Sequence, residues 1–357
     1  MLGGRADVRG RVAAVLLVGL AALSSSGGVS GSPATAAEPA AVTSVPRGVA
    51  TAEEVVCQFD RETLGEVSGI TLSRLHENVL WATNDSGGGA YLYALDTSTC
   101  RIRATLRLLD TPARDHEALA AGQDAQGRDV IWVGDIGDNQ GGWPYARIHK
   151  VIEPRRLADA DVTVTTYRFT YPGGAVNAEA MMAAPDSEQL WVISKESAGG
   201  GIYALPSPMS DSRTPMTAKR VGDARALITD AAMAPNGKRY VVRDYFSGEV
   251  FSGTPPGEAE ARFRLPVQPQ GEAVTWTADS RSLLVASEGS ADLIEVDVPA
   301  SALGSDGGLA GILPRVAGFD IYPYVRAVAL GLAVLIALIM LSRRSRRRRR
   351  GRDAGRR

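Results

Sequence analysis

Acidic residues recur at two fixed places of a repeated unit in this sequence, and residues 115–139 hold the richest copy of that unit. In this copy Glu117 opens a short apolar run, a turn with Gly122 and Gly127 follows, and a second apolar run ends at Asp135. Two short apolar runs joined by a glycine-containing turn predict a β-hairpin, here with one carboxylate at each end. The same order recurs at residues 68–85, 179–196, 230–244 and 272–288, so the chain contains five related units.

Carboxylates collected at one place repel one another, so either their pKa values rise or a bound cation neutralises them. Carboxylates, amide side chains and backbone carbonyls are the ligands that hard cations prefer, and Ca²⁺ is the first candidate. The densest acidic run is residues 134–139, GDIGDN, although its order is not that of an EF-hand loop. We therefore predict a metal site formed by Asp135, Asp138, Asn139 and Glu117.

Other side chains at the two repeated places are candidate ligand-binding groups. Lys195 and Arg243 can supply part of the balancing charge, and His116 beside Glu117 could act as a base. The alternative is that these acids cap strands and turns, since Asp and Asn are common turn formers. The predicted ligand-binding set is Glu117, Glu179, Asp230, Glu272, Asp85, Lys195, Arg243 and His116, with Ser68, Asp135, Glu196, Asp244 and Glu288 at related positions.

The sequence contains no motif of a familiar hydrolase or nucleotide-binding enzyme. G-x-S-x-G, H-E-x-x-H and the P-loop pattern are all missing, so no catalytic residue can be named. Our leading hypothesis is binding of a cation, or of a small-molecule or protein ligand, on an acidic face. Two alternatives stay open: a Ca²⁺-dependent hydrolase of phosphate or carboxyl esters, and a scaffold for another cell-envelope protein.

The elements that must position these acids are short strands. Each unit extends to four predicted strands separated by Gly, Asn, Asp and Ser clusters, except the fifth, which has three. One strand, residues 55–59, is left over before the first unit. Completing the last blade with an N-terminal strand closes a ring and removes exposed sheet edges. The sequence therefore predicts an all-β, five-bladed β-propeller closed by an N-terminal strand over residues 53–300; a two-sheet β-sandwich and a six-bladed ring are the alternatives.

In such a ring the innermost strands line a central channel, and their starts share one face with the ends of the second strands. The repeated acids occupy these two places, so we expect them to surround the channel mouth. The tryptophans at residues 81, 132 and 191 recur at one place in the second strands, which indicates packing between blades.

The two ends of the chain predict export and membrane attachment. Residues 1–37 have the basic start, apolar run and small residues of a secretory signal peptide, and residues 38–52 form a flexible lead-in. After a linker at 301–320, residues 321–342 are apolar apart from Pro323 and Arg326, long enough to cross a bilayer core of about 30 Å. The ten arginines of residues 343–357 favour the cytoplasm. We therefore predict a single-pass type I membrane protein, anchored in lipid by one transmembrane helix, with an extracellular propeller.

Charge and cysteine content limit the partners further. The formal net charge is −1, and because residues 343–357 alone carry ten arginines against Asp353, the middle of the chain is acidic. An acidic domain is not expected to bind nucleic acid. The two cysteines, Cys57 and Cys100, could form one disulfide outside the cell, but their spacing does not show whether their Cβ atoms meet.

Several stretches resemble a family of secreted or membrane-anchored β-propeller proteins from actinobacteria, largely without assigned function. They are CQFDRETLGEVSGI from Cys57, WATNDSG, DHEALA, VGDIGDN and LPVQPQGEAVTW from Leu265, so the resemblance covers most of residues 57–298. More distantly the chain resembles esterase-like and phytase-like propeller domains, which implies Ca²⁺ and a phosphorylated or ester substrate. The chain departs from that pattern, because His116 stands where a tryptophan is usual and few basic residues are placed to hold phosphate.

Overall fold

The computed structural model describes residues 53–303 apart from residues 86–88 and 112. These residues form strands in five sheets, called blades 1 to 5 in chain order, and one short helix. The strands before and in blade 1 are β1 (Glu53–Gln58), β2 (Val67–Leu72), β3 (Val79–Asn84), β4 (Tyr91–Asp96) and β5 (Ile102–Leu109). Blade 2 is built from β6 (His116–Gln123), β7 (Asp129–Asp135), β8 (Ala146–Ile152) and β10 (Thr165–Thr170), with β9 (Ala160–Thr163) between the last two in sequence.

The second half of the described chain forms blades 3, 4 and 5. Blade 3 is built from β11 (Ala178–Ala183), β12 (Leu190–Ser194), β13 (Gly200–Ala204) and β15 (Lys219–Ala224), with β14 (Met216–Thr217) between the last two in sequence. Blade 4 is built from β16 (Ile228–Met233), β17 (Arg239–Asp244), β18 (Ser247–Ser252) and β19 (Ala259–Arg264). Blade 5 contains β20 (Gln270–Trp276), β21 (Ser282–Glu288) and β22 (Asp292–Asp297), followed by α1 (Ala300–Leu303).

The blades form a closed ring. The innermost strands pack side by side in the order β2, β6, β11, β16 and β20, and β20 packs against β2 again. β1 pairs antiparallel with β22 and so becomes the fourth strand of blade 5. The five-bladed propeller and its closure by an N-terminal strand, both predicted from the sequence, are confirmed.

Two linker strands extend neighbouring blades, which the sequence did not indicate. β9 and β10 are consecutive in sequence, but β9 pairs in parallel with β5 of blade 1, and only β10 belongs to blade 2. In the same way β14 pairs in parallel with β10 at the outer edge of blade 2. Each addition covers an outer edge that would otherwise present unpaired backbone groups.

The hydrophobic core consists of five clusters, one between each pair of neighbouring blades. Trp81, Trp132 and Trp191 are buried at equivalent register positions of β3, β7 and β12, opposite Thr71, Ala120 and Met182. These tryptophans therefore pack between blades, as their spacing predicted.

A disulfide joins the two ends of the ring. Cys57 lies on β1, the outer strand of blade 5, and Cys100 lies in the turn between β4 and β5 of blade 1. The bridge spans a sequence separation of 43 residues and covalently connects the last blade to the first. The cysteine pairing that the sequence left open is thus a bond that holds the closure.

No helix among residues 53–303 is long and apolar enough to cross a membrane. The predicted signal peptide (1–37), lead-in (38–52), transmembrane helix (321–342) and arginine-rich tail (343–357), and the linker beyond residue 303, lie outside the described residues.

We predict that replacing both cysteines, Cys57→Ser with Cys100→Ser, lowers the free energy of unfolding by about 3 to 4 kcal/mol, because the unfolded chain gains the entropy of an open loop. Urea unfolding of the variant and of the wild type measures this difference. A reducing agent should destabilise the wild type by a similar amount and leave the variant unchanged. Equal midpoints for the two oxidised proteins would contradict a role of the bond in closing the ring.

Candidate functional site

Every innermost strand contains a β-bulge near its start, where one residue has no partner on the second strand. A bulge leaves the extra residue unpaired and re-aims its side chain, and bulges are common beside functional sites. The five bulges lie at equivalent places of the five blades, at the mouth where the inner strands begin. The bulge residues are Ser68, Glu117, Glu179, Thr229 and Glu272.

The register corrects one of the predicted equivalences. The sequence comparison placed Asp230 with Glu117 and Glu179, but the bulge of blade 4 falls between Ile228 and Asp230, so Thr229 is the equivalent residue. The difference arises because the sequence pattern shows which residues are acidic, whereas the hydrogen-bond ladder decides which residue is unpaired.

Two blades place a hydroxyl at the bulge, and these hydroxyls serve the structure. Ser68 Oγ donates to the backbone carbonyl of His116 at 2.7 Å, and Thr229 Oγ1 donates to that of Gly271 at 2.9 Å. In both cases the acceptor lies in the next blade, immediately before the bulge residue of that blade. The remaining three blades present glutamates to the channel mouth.

The tightest carboxylate group at this mouth is formed by Asp85, Asp115 and Glu117. One oxygen from each residue lies within 4.8 Å of the other two. Asp85 follows β3 of blade 1, Asp115 precedes β6, and Glu117 is the bulge residue of blade 2. We call these three residues the carboxylate triad.

Gly137 lies directly against the triad. A Cβ atom on this residue would overlap with Asp115 Oδ2 and lie 2.5 Å from Glu117 Oε1, so any side chain there would collide with both carboxylates. The backbone amide of Gly137 also donates to the backbone carbonyl of Asp115 at 3.3 Å. Gly137, the second glycine of the run GDIGDN, therefore leaves the space in which the two carboxylates converge.

Glu117 is the most buried member of the triad, with 6% of its surface exposed. No hydrogen-bond donor among the described residues contacts its carboxylate. Burial, together with the negative charges of Glu179 and Asp85, raises the pKa of Glu117 to about 10. Burial and the charge of Asp85 likewise raise the pKa of Asp115 to about 7. Without a cation, Glu117 therefore keeps its proton at neutral pH and Asp115 is partly protonated.

In the other half of the mouth, Lys195 neutralises part of the negative charge of Glu179 and Glu272. Its Nζ forms an ion pair with Glu179, lies 3.8 Å from Glu272 Oε1, and lies 5.0 Å from the centroid of the Tyr245 ring. Burial disfavours the charged ammonium, but the charge of Glu179 outweighs burial and raises the Lys195 pKa. Burial raises the pKa of Glu179 to about 7, although Lys195 opposes that rise.

Gln270 connects the two remaining acids of this half. Its Nε2 donates to Glu272 Oε1 at 2.8 Å and to Glu288 Oε2 at 2.6 Å. Burial and the charge of Glu272 raise the pKa of Glu288 to about 8. Glu288 thus lies at the mouth, as its place at the end of β21 predicted.

Asp135 lies at the end of β7 but is surrounded by cationic groups. Its carboxylate pairs with Arg147 Nε at 2.6 Å and Arg114 Nε at 3.2 Å, and it accepts the backbone amide of Asp115 at 2.9 Å. Burial opposes ionisation, but the nearby His149 ring, whose Nε2 lies 3.7 Å from Asp135 Oδ2, and the charge of Arg147 outweigh it and hold the Asp135 pKa well below its usual range. Asp135 therefore positions Asp115 through the backbone and lies outside the carboxylate triad.

Asp138 and Asn139 organise the loop after β7. The Asp138 carboxylate accepts the backbone amides of Gly142 at 2.8 Å and Trp143 at 2.9 Å, which makes it a turn acceptor. Asn177 joins this loop to the mouth, since its side chain accepts from Asp138 N at 2.7 Å and donates to Asn139 Oδ1 and Glu179 Oε1. Of the four predicted metal ligands, the structure brings Glu117 alone into the triad.

Asp230 and Arg243 connect blades 4 and 5. Asp230 is fully buried and accepts the backbone amide of Val274 at 2.7 Å, and burial raises its pKa well above the usual value. Arg243 is also fully buried and donates to the carbonyls of Ala273 and Ala286, while burial lowers its pKa to about 10. Both residues lie beneath the mouth and hold the two blades together.

His116 is fully buried beside a second histidine. Its ring centroid lies 5.8 Å from that of His149, and neither ring nitrogen of His116 has a hydrogen-bond partner in the described residues. Burial lowers the His116 pKa to about 4, so the ring is neutral at physiological pH. The histidine is shielded from the channel mouth.

The last two predicted positions lie apart from the triad. Glu196 is exposed and accepts from Ser194 Oγ at 2.8 Å. Asp244 forms a turn with the backbone amides of Phe246 and Ser247 and pairs with Arg225 at 2.6 Å. These two acids form turns, in agreement with the alternative that the sequence left open.

Sequence reasoning missed Asp115, Asn177 and Tyr245 as members of the site. Asp115 directly precedes the strand that carries Glu117, and a search for acids within two residues of each bulge position would have found it. Asn177 lies two residues before Glu179, so a search for polar residues of any kind around the bulge positions would have found it. Tyr245 had no sequence signal, because its contact with Lys195 joins two different blades.

No protein-family model matches this chain, and no curated protein matches it. Among solved structures the backbone is similar to the Dos1 propeller, with 11% identity and a TM-score of 0.34, covering 65% of this chain and 58% of that one. It is also similar to streptogramin B lyase, with 12% identity and a TM-score of 0.37, covering 69% of this chain and 97% of that one. The actinobacterial family resemblance drawn from the sequence motifs stays a prediction.

We predict that, in the presence of EDTA, the melting temperature falls as the pH rises from about 5 to about 9. The folded-state pKa values of Glu117, Asp115, Glu179 and Glu288 are raised, so the native protein holds protons that the unfolded chain has released. The stability that these groups contribute is therefore lost as the pH rises through their folded-state values.

The variant Glu117→Gln should show a shallower decline, because its neutral side chain needs no proton at any pH. Glu196→Gln, which changes an exposed acid, is the matched control and should follow the wild type. Thermal unfolding followed by circular dichroism measures all three proteins. A wild-type melting temperature that rises over this pH range would contradict the charge repulsion described for the mouth.

Proposed function

We propose that this propeller binds a divalent, oxygen-seeking cation at the carboxylate triad, with Ca²⁺ as the first candidate. The observation that carries the proposal is Glu117: a carboxylate with 6% of its surface exposed, no hydrogen-bond donor among the described residues, and oxygens converging on those of Asp85 and Asp115. Buried polar groups are normally paired, so an unpaired buried carboxylate indicates a partner that binds from outside.

Charge balance supports a cation at the triad. The cationic side chains near the mouth already have carboxylate partners, since Lys195 pairs with Glu179, and Arg114 and Arg147 pair with Asp135. Glu117 has no such partner in the described residues, and the pKa values of Glu117 and Asp115 are raised. A divalent ion would replace these protons and remove the repulsion.

The ligand types favour Ca²⁺ over a transition metal. The triad offers carboxylate oxygens only, whereas Zn²⁺ and Cu²⁺ sites usually contain sulfur or imidazole ligands. Cys57 and Cys100 are joined in the disulfide, and the His116 ring is buried. Ca²⁺ accepts six to eight oxygens with flexible geometry, so waters or backbone carbonyls can complete a site that starts from three carboxylates.

This proposal changes the metal ligands expected from the sequence. Glu117 stays, Asp85 and Asp115 join it, and Asp135, Asp138 and Asn139 become supports. Asp135 fixes the backbone of Asp115, and Asn177 fixes the loop of Asp138 and Asn139. The supporting shell is therefore held by hydrogen bonds, which a preorganised cation site requires.

We also propose that the propeller lies outside the cell, attached to the membrane by one transmembrane helix. The signal peptide and transmembrane segment read from the sequence would place the acidic mouth outside the cell, where Ca²⁺ is abundant and a disulfide persists. The hydrolase and scaffold alternatives stay predictions, since no described nucleophile lies in the triad.

We predict that the wild-type protein binds Ca²⁺ and releases protons, and that Glu117→Gln and Asp115→Asn each weaken binding about tenfold or more, because each removes one anionic ligand. Affinity should increase between about pH 6 and about pH 8, because Asp115, whose pKa is raised to about 7, ionises over this range. Isothermal titration calorimetry in buffers of different ionisation enthalpy measures both effects.

Glu196→Gln is the control, because that acid lies on the same face but outside the triad. Its affinity for Ca²⁺ should equal that of the wild type. Absence of a binding heat for the wild type at about pH 8, or an equal loss in Glu196→Gln and Glu117→Gln, would contradict the assignment of the triad.

A further inference from the structure

Exposed hydrophobic side chains gather around the acidic mouth. We call the end of the propeller where the innermost strands begin and the second strands end the acidic face. Among the described residues, eight large hydrophobic side chains are exposed, and half of them lie on loops of this face. They are Trp143 (43% exposed), Leu227 (41%), Phe246 (72%) and Val267 (98%).

Phe246 and Val267 lie next to the mouth on the side of blade 4. Lys195 Nζ lies 5.0 Å from the centroid of the Tyr245 ring, and the Tyr245 and Phe246 rings are 6.3 Å apart. The backbone carbonyl of Phe246 accepts the amide of Leu265 at 3.0 Å, which fixes the loop that carries Val267 beside it. An apolar wall therefore borders the ion-paired half of the mouth.

On the blade 2 side the mouth adjoins an apolar cleft. The cleft has a volume of about 190 Å³, and its lining includes Ile136, Gly137, Trp143, Tyr145 and Val176. Gly137 belongs to both sites, since it lines the cleft and also lies against Asp115 and Glu117. A cavity of about 150 Å³ with apolar walls can hold a benzene ring, so this cleft is large enough for one apolar side chain.

The negative charge of the acidic face favours a partner with a positive charge. Arg114 stacks on Trp143 at 4.4 Å but pairs with Asp135, and Lys195 pairs with Glu179, so both cations already have anionic partners. Glu117, nine-tenths buried and without a donor in the described chain, converges with Asp85 and Asp115. This arrangement repels phosphate groups, whether of anionic lipid or nucleic acid, and attracts a basic side chain.

We propose that the acidic face is a docking surface for a protein segment in which a basic side chain is flanked by large apolar side chains. The basic group lies over the triad, and the apolar groups pack on the Phe246 and Val267 wall and in the Trp143 cleft. Apolar anchors around a charged centre are the usual composition of such interfaces. The proposal goes beyond cation binding and does not depend on it, since the basic group would use the same carboxylates in the absence of Ca²⁺.

The test uses short fluorescent peptides and the purified full chain in EDTA, with fluorescence anisotropy as the readout. The probe has a central lysine flanked by phenylalanines; one control peptide has glutamate at the centre, and another has glycines in place of the phenylalanines. We expect the probe to bind tightest. The double variant Phe246→Ser with Val267→Ser should lower its affinity about fivefold or more, because both side chains are exposed contact groups.

Leu75→Ser with Ile152→Ser is the matched control, because it removes two exposed hydrophobic residues at the other end of the blades (42% and 51% exposed). It should leave the affinity within about twofold of the wild type. The proposal is overturned if the lysine peptide binds no tighter than the glutamate peptide, if the two double variants behave alike, or if anionic vesicles bind more tightly than the probe. Because EDTA is present throughout, the result is independent of whether the triad binds Ca²⁺.

Discussion

Ring closure brings five strand starts to one place, and repulsion between like charges there is the constraint on which the rest of the site depends. Each inner strand carries a bulge at this level, so five side chains share the channel mouth. Three are glutamates, and Asp85, Asp115 and Glu288 lie beside them. In a partly buried setting such charges cannot all stay ionised without partners.

The blades meet this constraint in different ways. Blades 1 and 4 carry no charge at the bulge, because Ser68 and Thr229 donate to a backbone carbonyl of the next blade. Blades 3 and 5 share Lys195 between Glu179 and Glu272. Blade 2 has neither solution, since Glu117 faces two further carboxylates and has no donor in the described part of the chain. The asymmetry of the ring therefore concentrates the unbalanced charge at one blade, and the cation proposal rests on it.

The fold was predictable because it depends on features that a sequence displays. Glycine-rich turns between short apolar runs define the strands, the missing fourth strand of the fifth unit predicts closure by β1, and the recurring tryptophans predict blade packing. The site was only partly predictable. Glu117, Glu179, Glu272 and Asp85 were found from their repeated positions, but a bulge shifts the register by one residue, so Thr229 rather than Asp230 belongs to the ring. Whether an acid such as Asp135 meets arginines depends on contacts between strands, which spacing does not reveal.

The most direct measurement is a crystal structure of the protein grown with Ca²⁺ at about pH 8, with anomalous scattering used to identify the ion. Our account predicts a peak within about 2.3 to 2.6 Å of carboxylate oxygens of Asp85, Asp115 and Glu117. A carboxylate triad with no peak, or an ion bound instead by Asp135, Asp138 and Asn139, would contradict it.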